Sequence, residues 1–290
     1  MQAAKLFFPN RPQAVQPAQH ELIIEPGQGL AHYWRDLWRY RELFFFLAWR
    51  DIAVRYKQTV IGVAWAIIRP LLTMVVFTVV FGRLAGLPSE GDAPYAILVY
   101  AAMLPWQFFA NALSESSNSL ISNAQMITKV YFPRLAIPLA AVMVSFVDFL
   151  ISFAILVALM LWYQVWPTPR LLALLPLILL AFGAALGGGL WMASLNVKYR
   201  DFRYVIPFVV QFGLYLSPVG FSSTIVPEQW RLLYSLNPMV GVIDGFRWAI
   251  LGSAEIYVPG FVLSLVLTVG LLASGLWYFR KVERTFADVI

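Results

Sequence analysis

Residues 137–163 read IPLAAVMVSFVDFLISFAILVALMLWY, and this stretch decides the fold class. It carries one formal charge, Asp148, and it exceeds the roughly 20 mostly apolar residues that a helix needs to cross a bilayer. In hydrocarbon every backbone N–H and C=O must be satisfied within the chain, and a helix does that. Working outward, comparable stretches fall at 60–82, 94–114, 171–194, 204–221 and 258–279. Together they predict an all-α polytopic membrane protein with six transmembrane helices. Pro207, Gly213 and Pro218 interrupt the span at 204–221, which is expected to be short or kinked.

Composition agrees. The 290 residues are 60% hydrophobic and 12% charged, against roughly 45–50% and about 25% in soluble domains. That much apolar surface needs lipid as its solvent. The chain has no cysteine, which excludes disulfides, thiolate metal sites and a cysteine nucleophile. Residues 1–30 scatter Pro9, Pro12, Pro17 and Pro26 among polar residues, with no continuous apolar run of the signal-peptide kind. They read as a cytoplasmic tail.

The loops orient the spans. Lys5, Arg11, Arg35, Arg39, Arg41, Arg50, Arg55 and Lys57 precede the first span. Lys129 and Arg134 follow the second, Lys198, Arg200 and Arg203 the fourth, and Arg280, Lys281 and Arg284 the sixth. The other side holds Arg83, Arg170, Arg231 and Arg247. An excess of Lys and Arg marks cytoplasmic loops, so both termini of a multi-pass protein are expected in the cytoplasm.

Two segments fit neither span nor simple loop. Residues 31–58 interleave charges with Trp34, Leu37, Trp38, Leu43, Phe46, Leu47 and Trp49. The pattern predicts an amphipathic helix in the interface plane, either a plain anchor or a moving element at a pore mouth or partner surface. Residues 222–257, punctuated by Pro227, Pro238 and Pro259, predict two short helices, 227–235 and 239–251. These form a re-entrant hairpin on the outer side, packed against protein or a water-filled cavity. The organisation is therefore a tail at 1–30, an interface or gate helix at 31–58, a six-span domain at 59–280 and a cytoplasmic tail at 281–290. The halves show no internal repeat, which weighs against an inverted-repeat transporter.

Candidate chemistry is sparse. The P-loop pattern is missing, and the cluster Gly187, Gly188, Gly189 has no Lys beside it, so these glycines read as close helix packing. The spans hold three ionisable residues, Arg69, Glu115 and Asp148. Asp148 fits a proton relay or a buried contact between helices, for instance with Arg69; one or two carboxylates rarely make a relay alone. Glu115, among serines near a span end, reads as interfacial. The spacing of His, Asp and Glu suggests no metal site, and no nucleophile stands beside a base. Trp65, Trp106 and Phe109 fit either the interfacial aromatic belt or rings lining a path for sugars.

Four stretches carry a resemblance. RYKQTVIGVAWAIIRPLL (55–72), KVYFPRLAIPL (129–139), VKYRDFRYVIPFVVQFGLYLSPVGF (197–221) and LNPMVGVIDGFRWAILG (236–252) together resemble the membrane subunit of bacterial ABC polysaccharide exporters. This family moves O-antigen, capsular polysaccharide or teichoic acid. The resemblance implies a permease rather than an enzyme, working as a homodimer with two copies of a separate ATPase that binds ATP and Mg. This chain would bind no cofactor, metal or nucleic acid, and its substrate would be a lipid-linked polysaccharide. It implies a coupling loop for ATPase docking at Lys129, Val130, Tyr131, Phe132, Pro133 and Arg134. It also implies a gate helix bearing Trp34, Trp38, Trp49, Arg50, Arg55 and Tyr56, and a substrate path past Trp65, Arg69, Trp106 and Phe109. Arg69 stands where many relatives carry an uncharged polar residue, which leaves two roles open: contact with the carrier's pyrophosphate, or a pair within the protein. Rival readings are an ABC permease for drugs or lipids, a proton-coupled transporter working without an ATPase, and a membrane-embedded transferase.

Overall fold

A computed structural model describes residues 30–57, 62–91, 93–199, 201–252, 256–283 and 285–286, with side chains of 30–34 and 62–63 left aside. The expected tail at 1–30 lies almost wholly outside these residues, as do residues 59–61 and the last part of the C-terminal tail. All regular secondary structure among the described residues is helical, without strands.

The order is α1 (Leu30–Arg39), α2 (Arg41–Lys57), α3 (Gly62–Phe77), α4 (Tyr95–Ser122), α5 (Ala124–Lys129), α6 (Ala136–Trp162), α7 (Leu174–Lys198), α8 (Phe202–Leu216), α9 (Glu228–Tyr234), α10 (Pro238–Leu251) and α11 (Val258–Glu283). A π-helical turn, Thr78–Leu84, extends α3, and a 3-10 turn, Pro169–Ala173, precedes α7. Among the described residues, five helices are long and apolar enough to cross a membrane: 64–84, 95–122, 136–162, 169–198 and 258–283. The stretch expected to span at 204–221 forms α8, which has 15 residues. At 1.5 Å per residue that is roughly 22 Å, short of a hydrocarbon core of about 30 Å. Ser217 is already extended (φ −102°, ψ 152°), as the residue before Pro218 prefers to be.

The helix expected at 31–58 is divided at Tyr40 into α1 and α2, although hydrogen bonds carry across the joint: Tyr40 N–H to Asp36 O at 2.9 Å and Phe44 N–H to Tyr40 O at 3.1 Å. The two short helices expected at 227–235 and 239–251 are α9 and α10, each within a residue or so of the expected bounds. Their ends are written in the sequence. Pro227 precedes α9, and the Asn237 side chain caps the Met239 N–H of α10 at 3.0 Å, with Pro238 in the first position. Gly252, at φ +72°, closes α10 in the left-handed conformation.

Helix α4 is the hub. In its most apolar stretch 83% is buried, against 11% for α3. It packs chiefly on α6 and α7, and α7 in turn on α11. Phe108 of α4 sits among Phe146, Phe149 and Phe182, with ring centroids 5.4–6.3 Å away. Polar side chains join the spans where shape alone does not: the Tyr100 hydroxyl donates to Ser152 O (3.1 Å), and the Asn196 amide to Ser117 O (3.1 Å). The expectation of close glycine packing holds. A Cβ on Gly275 of α11 would lie 2.5 Å from the Gly187 carbonyl oxygen of α7, so these backbones approach as only glycine permits.

Candidate functional site

The site begins with the last turn of α2. Arg55 reaches Asp148 Oδ2 of α6 and Glu115 Oε1 of α4, both at 3.1 Å. The next residue, Tyr56, donates its hydroxyl to Asp148 Oδ1. Burial, and then the carboxylate beside it, push the Tyr56 phenol up from its ordinary value. About one and a half turns earlier, Arg50 donates to Asp51 Oδ1 (2.8 Å) and to Asn123 Oδ1 (2.9 Å) at the end of α4. Three side chains of α2, Arg50, Arg55 and Tyr56, therefore fasten this helix to α4 and α6. The interhelical contact expected of Asp148 exists, but its partners are Arg55 and Tyr56 rather than Arg69. Glu115, read as interfacial, is the second anchor of Arg55.

Arg55 separates two polar recesses. One, of about 470 Å³, is lined by Arg50, Asp51, Glu115, Asn118, Ser119 and Asn123. The other, also about 470 Å³, lies among α3, α4, α6 and α8. Arg55, Tyr56, Asp148 and Ser152 close one part of it; Gln107, Asn111, Thr73 and Gln211 supply neutral polar groups; Trp65, Trp106 and Arg69 complete the wall. Three of the four residues expected on a substrate path thus share one cavity. The fourth, Phe109, stands behind it, with its ring 5.6 Å from that of Trp106. Arg69 is exposed, and its guanidinium meets no acceptor among the described residues; only its carbonyl is engaged, by the Thr73 hydroxyl (2.9 Å). Gln107 and Asn111 are one turn apart on α4, a polar pair inside a span that the sequence already displayed.

The other expected residues lie elsewhere. Trp38 and Trp49 point outward from α1 and α2, and Arg41 lies 5.7 Å from the Trp38 ring. Trp34 falls among the residues whose side chains are left aside. In the loop at 129–134, Lys129, Val130 and Tyr131 are exposed, whereas Phe132 and Pro133 are buried. Arg134 is occupied: its backbone N–H donates to Glu283 Oε1 at 2.9 Å and its guanidinium to the Glu283 carbonyl. The Tyr131 phenol, though the residue is mostly exposed, is pushed up by partial desolvation and then by Asp36 and Glu283 nearby, so the loop, α1 and the end of α11 converge.

Sequence reasoning missed a second charged cluster, under α9 and α10. Arg247 is fully buried and donates to the carbonyls of Leu98 (3.3 Å), Phe221 (2.8 Å) and Val219 (3.2 Å), with Glu90 at 4.0 Å. Asp244 lies one turn away, pushed up to about 6 by burial against the opposing pull of Arg247. The spacing of Asp244 and Arg247 was the available signal. Arg247 entered the sequence argument only as an outer loop charge.

Residues 42–251 match the model of a family described as ABC-2 type transporter. The chain is 27% identical over 259 residues to an O-antigen export system permease protein, RfbA, of Klebsiella pneumoniae, covering 86% of this chain and 95% of that one. It is 25% identical over 215 residues to the protein of the same name from Myxococcus xanthus, covering 73% and 82%. It is also 23% identical over 231 residues to the inner membrane transport permease YadH of Escherichia coli (strain K12), covering 75% and 87%.

Proposed function

The chain belongs to the ABC-2 type transporter family, and from that premise we propose that it is the membrane subunit of an ATP-driven exporter of a lipid-linked polysaccharide, O-antigen above the other glycans. The relatives bearing the name of O-antigen export permeases cover most of the chain, and they support this cargo over that of a drug or lipid permease. The observation that carries the reading is the polar cavity beside α3. Polar groups at bilayer depth face protein or water, not lipid tails. Here they lie between helices α3 and α8, whose outward faces are largely unburied in the single chain. A second copy set against these helices completes the wall, and the substrate passes between the two.

In this arrangement both termini and the basic loops lie in the cytoplasm, α8 is the fifth of six crossings, and α9 and α10 form the re-entrant hairpin between the fifth and the sixth. Two copies of a P-loop ATPase bind ATP and Mg and dock at Lys129, Val130 and Tyr131, the exposed part of the loop. Their closure moves the loop, the adjoining α1 and α2, and through Arg50 and Arg55 the spans α4 and α6. A proton relay through Asp148 is disfavoured, because that carboxylate is already engaged by Arg55 and Tyr56.

The test is deletion of the gene, scored by glycan on the cell surface. Loss of surface glycan with accumulation of the lipid-linked precursor inside is expected. Normal display, or loss of drug efflux alone, overturns the assignment.

A further inference from the structure

The cavity among α3, α4, α6 and α8 holds three charged side chains, Arg55, Arg69 and Asp148. Arg55 and Asp148 neutralise each other at 3.1 Å. The guanidinium of Arg69 remains, with no acceptor among the described residues. An unmatched cation within a span is costly in hydrocarbon and marks a place where charge is needed. A guanidinium also offers a planar fork of donors that matches a phosphate group in two parallel hydrogen bonds. Around it the walls add neutral carboxamide donors, Gln107, Asn111 and Gln211.

We propose that Arg69 makes this cavity an anion site for the phosphate group of a lipid-borne substrate; the proposal rests on the export reading above. Access selects the carrier. The cavity opens toward the α3–α8 face, where Trp65 is 57% and Phe208 58% exposed and the neighbouring surface is apolar. With a second copy across this face, the mouth opens onto the path between the copies, whose lateral edge borders the bilayer. A phosphate ester with its own lipid tail can arrive from the side, leaving the tail in the bilayer. Trp65, one helical turn before Arg69, and Trp106 line the same space, and indole rings suit a sugar ring attached beyond the phosphate. About 470 Å³ lies within the usual range of ligand cavities and holds a phosphate group with one ring.

The experiment uses the complete permease–ATPase complex in phosphatidylcholine nanodiscs, with lipid retention read by native mass spectrometry. Three probes are offered: polyprenyl pyrophosphate, the uncharged polyprenol of the same length, and phosphatidylglycerol. The unsubstituted complex is expected to retain the pyrophosphate at least tenfold over the alcohol. Arg69→Gln is expected to abolish that preference without changing polyprenol retention, and Arg69→Lys to keep part of it. Since Arg69 bonds nothing in the described protein through its side chain, neither variant removes an internal contact. An unchanged preference in Arg69→Gln overturns the site, as does its absence in the unsubstituted complex. Displacement of the pyrophosphate by equimolar phosphatidylglycerol assigns the cavity to membrane phospholipid and overturns the substrate role. Failure of the export reading is told apart by the deletion strain: normal surface glycan there refutes export, whereas lost glycan beside an indifferent Arg69→Gln refutes only this site.

Discussion

At the residue scale, the charges of Arg55 and Asp244 have named partners, and that makes their removal measurable. Arg55 bridges Glu115 and Asp148, with all three partly exposed, so solvent moderates the interaction. Arg55→Met leaves Asp148 with only Tyr56 in a span and is expected to cost roughly 1–3 kcal/mol, below the range for fully buried pairs. The double variant Arg55→Met/Asp148→Leu is expected to be more stable than the two single losses added together, read as thermal midpoints in nanodiscs. Asp244 titrates in a different sense. It is faced by Arg247, Ser223, Glu90, Arg231 and Tyr234, and burial, the largest effect, raises its carboxyl to about 6. The fold therefore holds that proton more tightly than the unfolded chain does. The stabilisation is complete below the ordinary carboxylate value and is lost as pH rises through about 6. The thermal midpoint is expected to fall between about pH 4 and 6, and Asp244→Asn to flatten that slope; an equally steep slope in the variant refutes the assignment.

At the scale of elements, the helix pair α7–α11 depends on absent side chains. At Gly275 a Cβ would meet the Gly187 carbonyl oxygen at 2.5 Å, and backbone cannot swing aside as a side chain can. Gly275→Val is expected to force the helices apart and cost about 2–3 kcal/mol, in the range of overpacked cores. Gly270, on the same helix, has nothing within 4 Å of its would-be Cβ. Gly270→Ala is therefore the matched control, expected to leave the thermal midpoint unchanged or slightly raised. Loss of stability in both would mean that helix flexibility, not close approach, is what the glycines provide. The loop at 129–134 shows the same contrast between pattern and packing. The family resemblance makes its six residues one docking surface, yet Phe132 and Pro133 face inward and Arg134 holds the end of α11. The sequence spaced these residues evenly, and only burial separates the part that meets a partner from the part that anchors the loop.

At the scale of the molecule, the proposed pairing of two copies makes a prediction suited to a chain with no native cysteine. Val76 of α3 and Phe208 of α8 are 55% and 58% exposed on the open side of the cavity, while Leu161 of α6 is 62% exposed away from it. Cysteine at 76 or 208 is expected to give oxidised dimers in membranes, and cysteine at 161 to give none. Dimers from 161 alone would place the interface elsewhere. The sequence by itself determined the solvent, the class and the punctuation. Long apolar runs require lipid and helices whatever their partners, and Asn237, Pro238 and Gly252 end α10 through local bonding alone. The tertiary structure decided which of those helices is core and which is wall. Apolar spans look alike in sequence, yet α4 is buried and α3 is not. It also decided how charge is matched. Asp148 lies 93 positions beyond Arg55, and chain distance carries no information about which cation reaches it. Ion pairing depends on separation in space, which packing alone sets. For that reason Arg69, a natural partner for Asp148 on paper, faces the cavity instead.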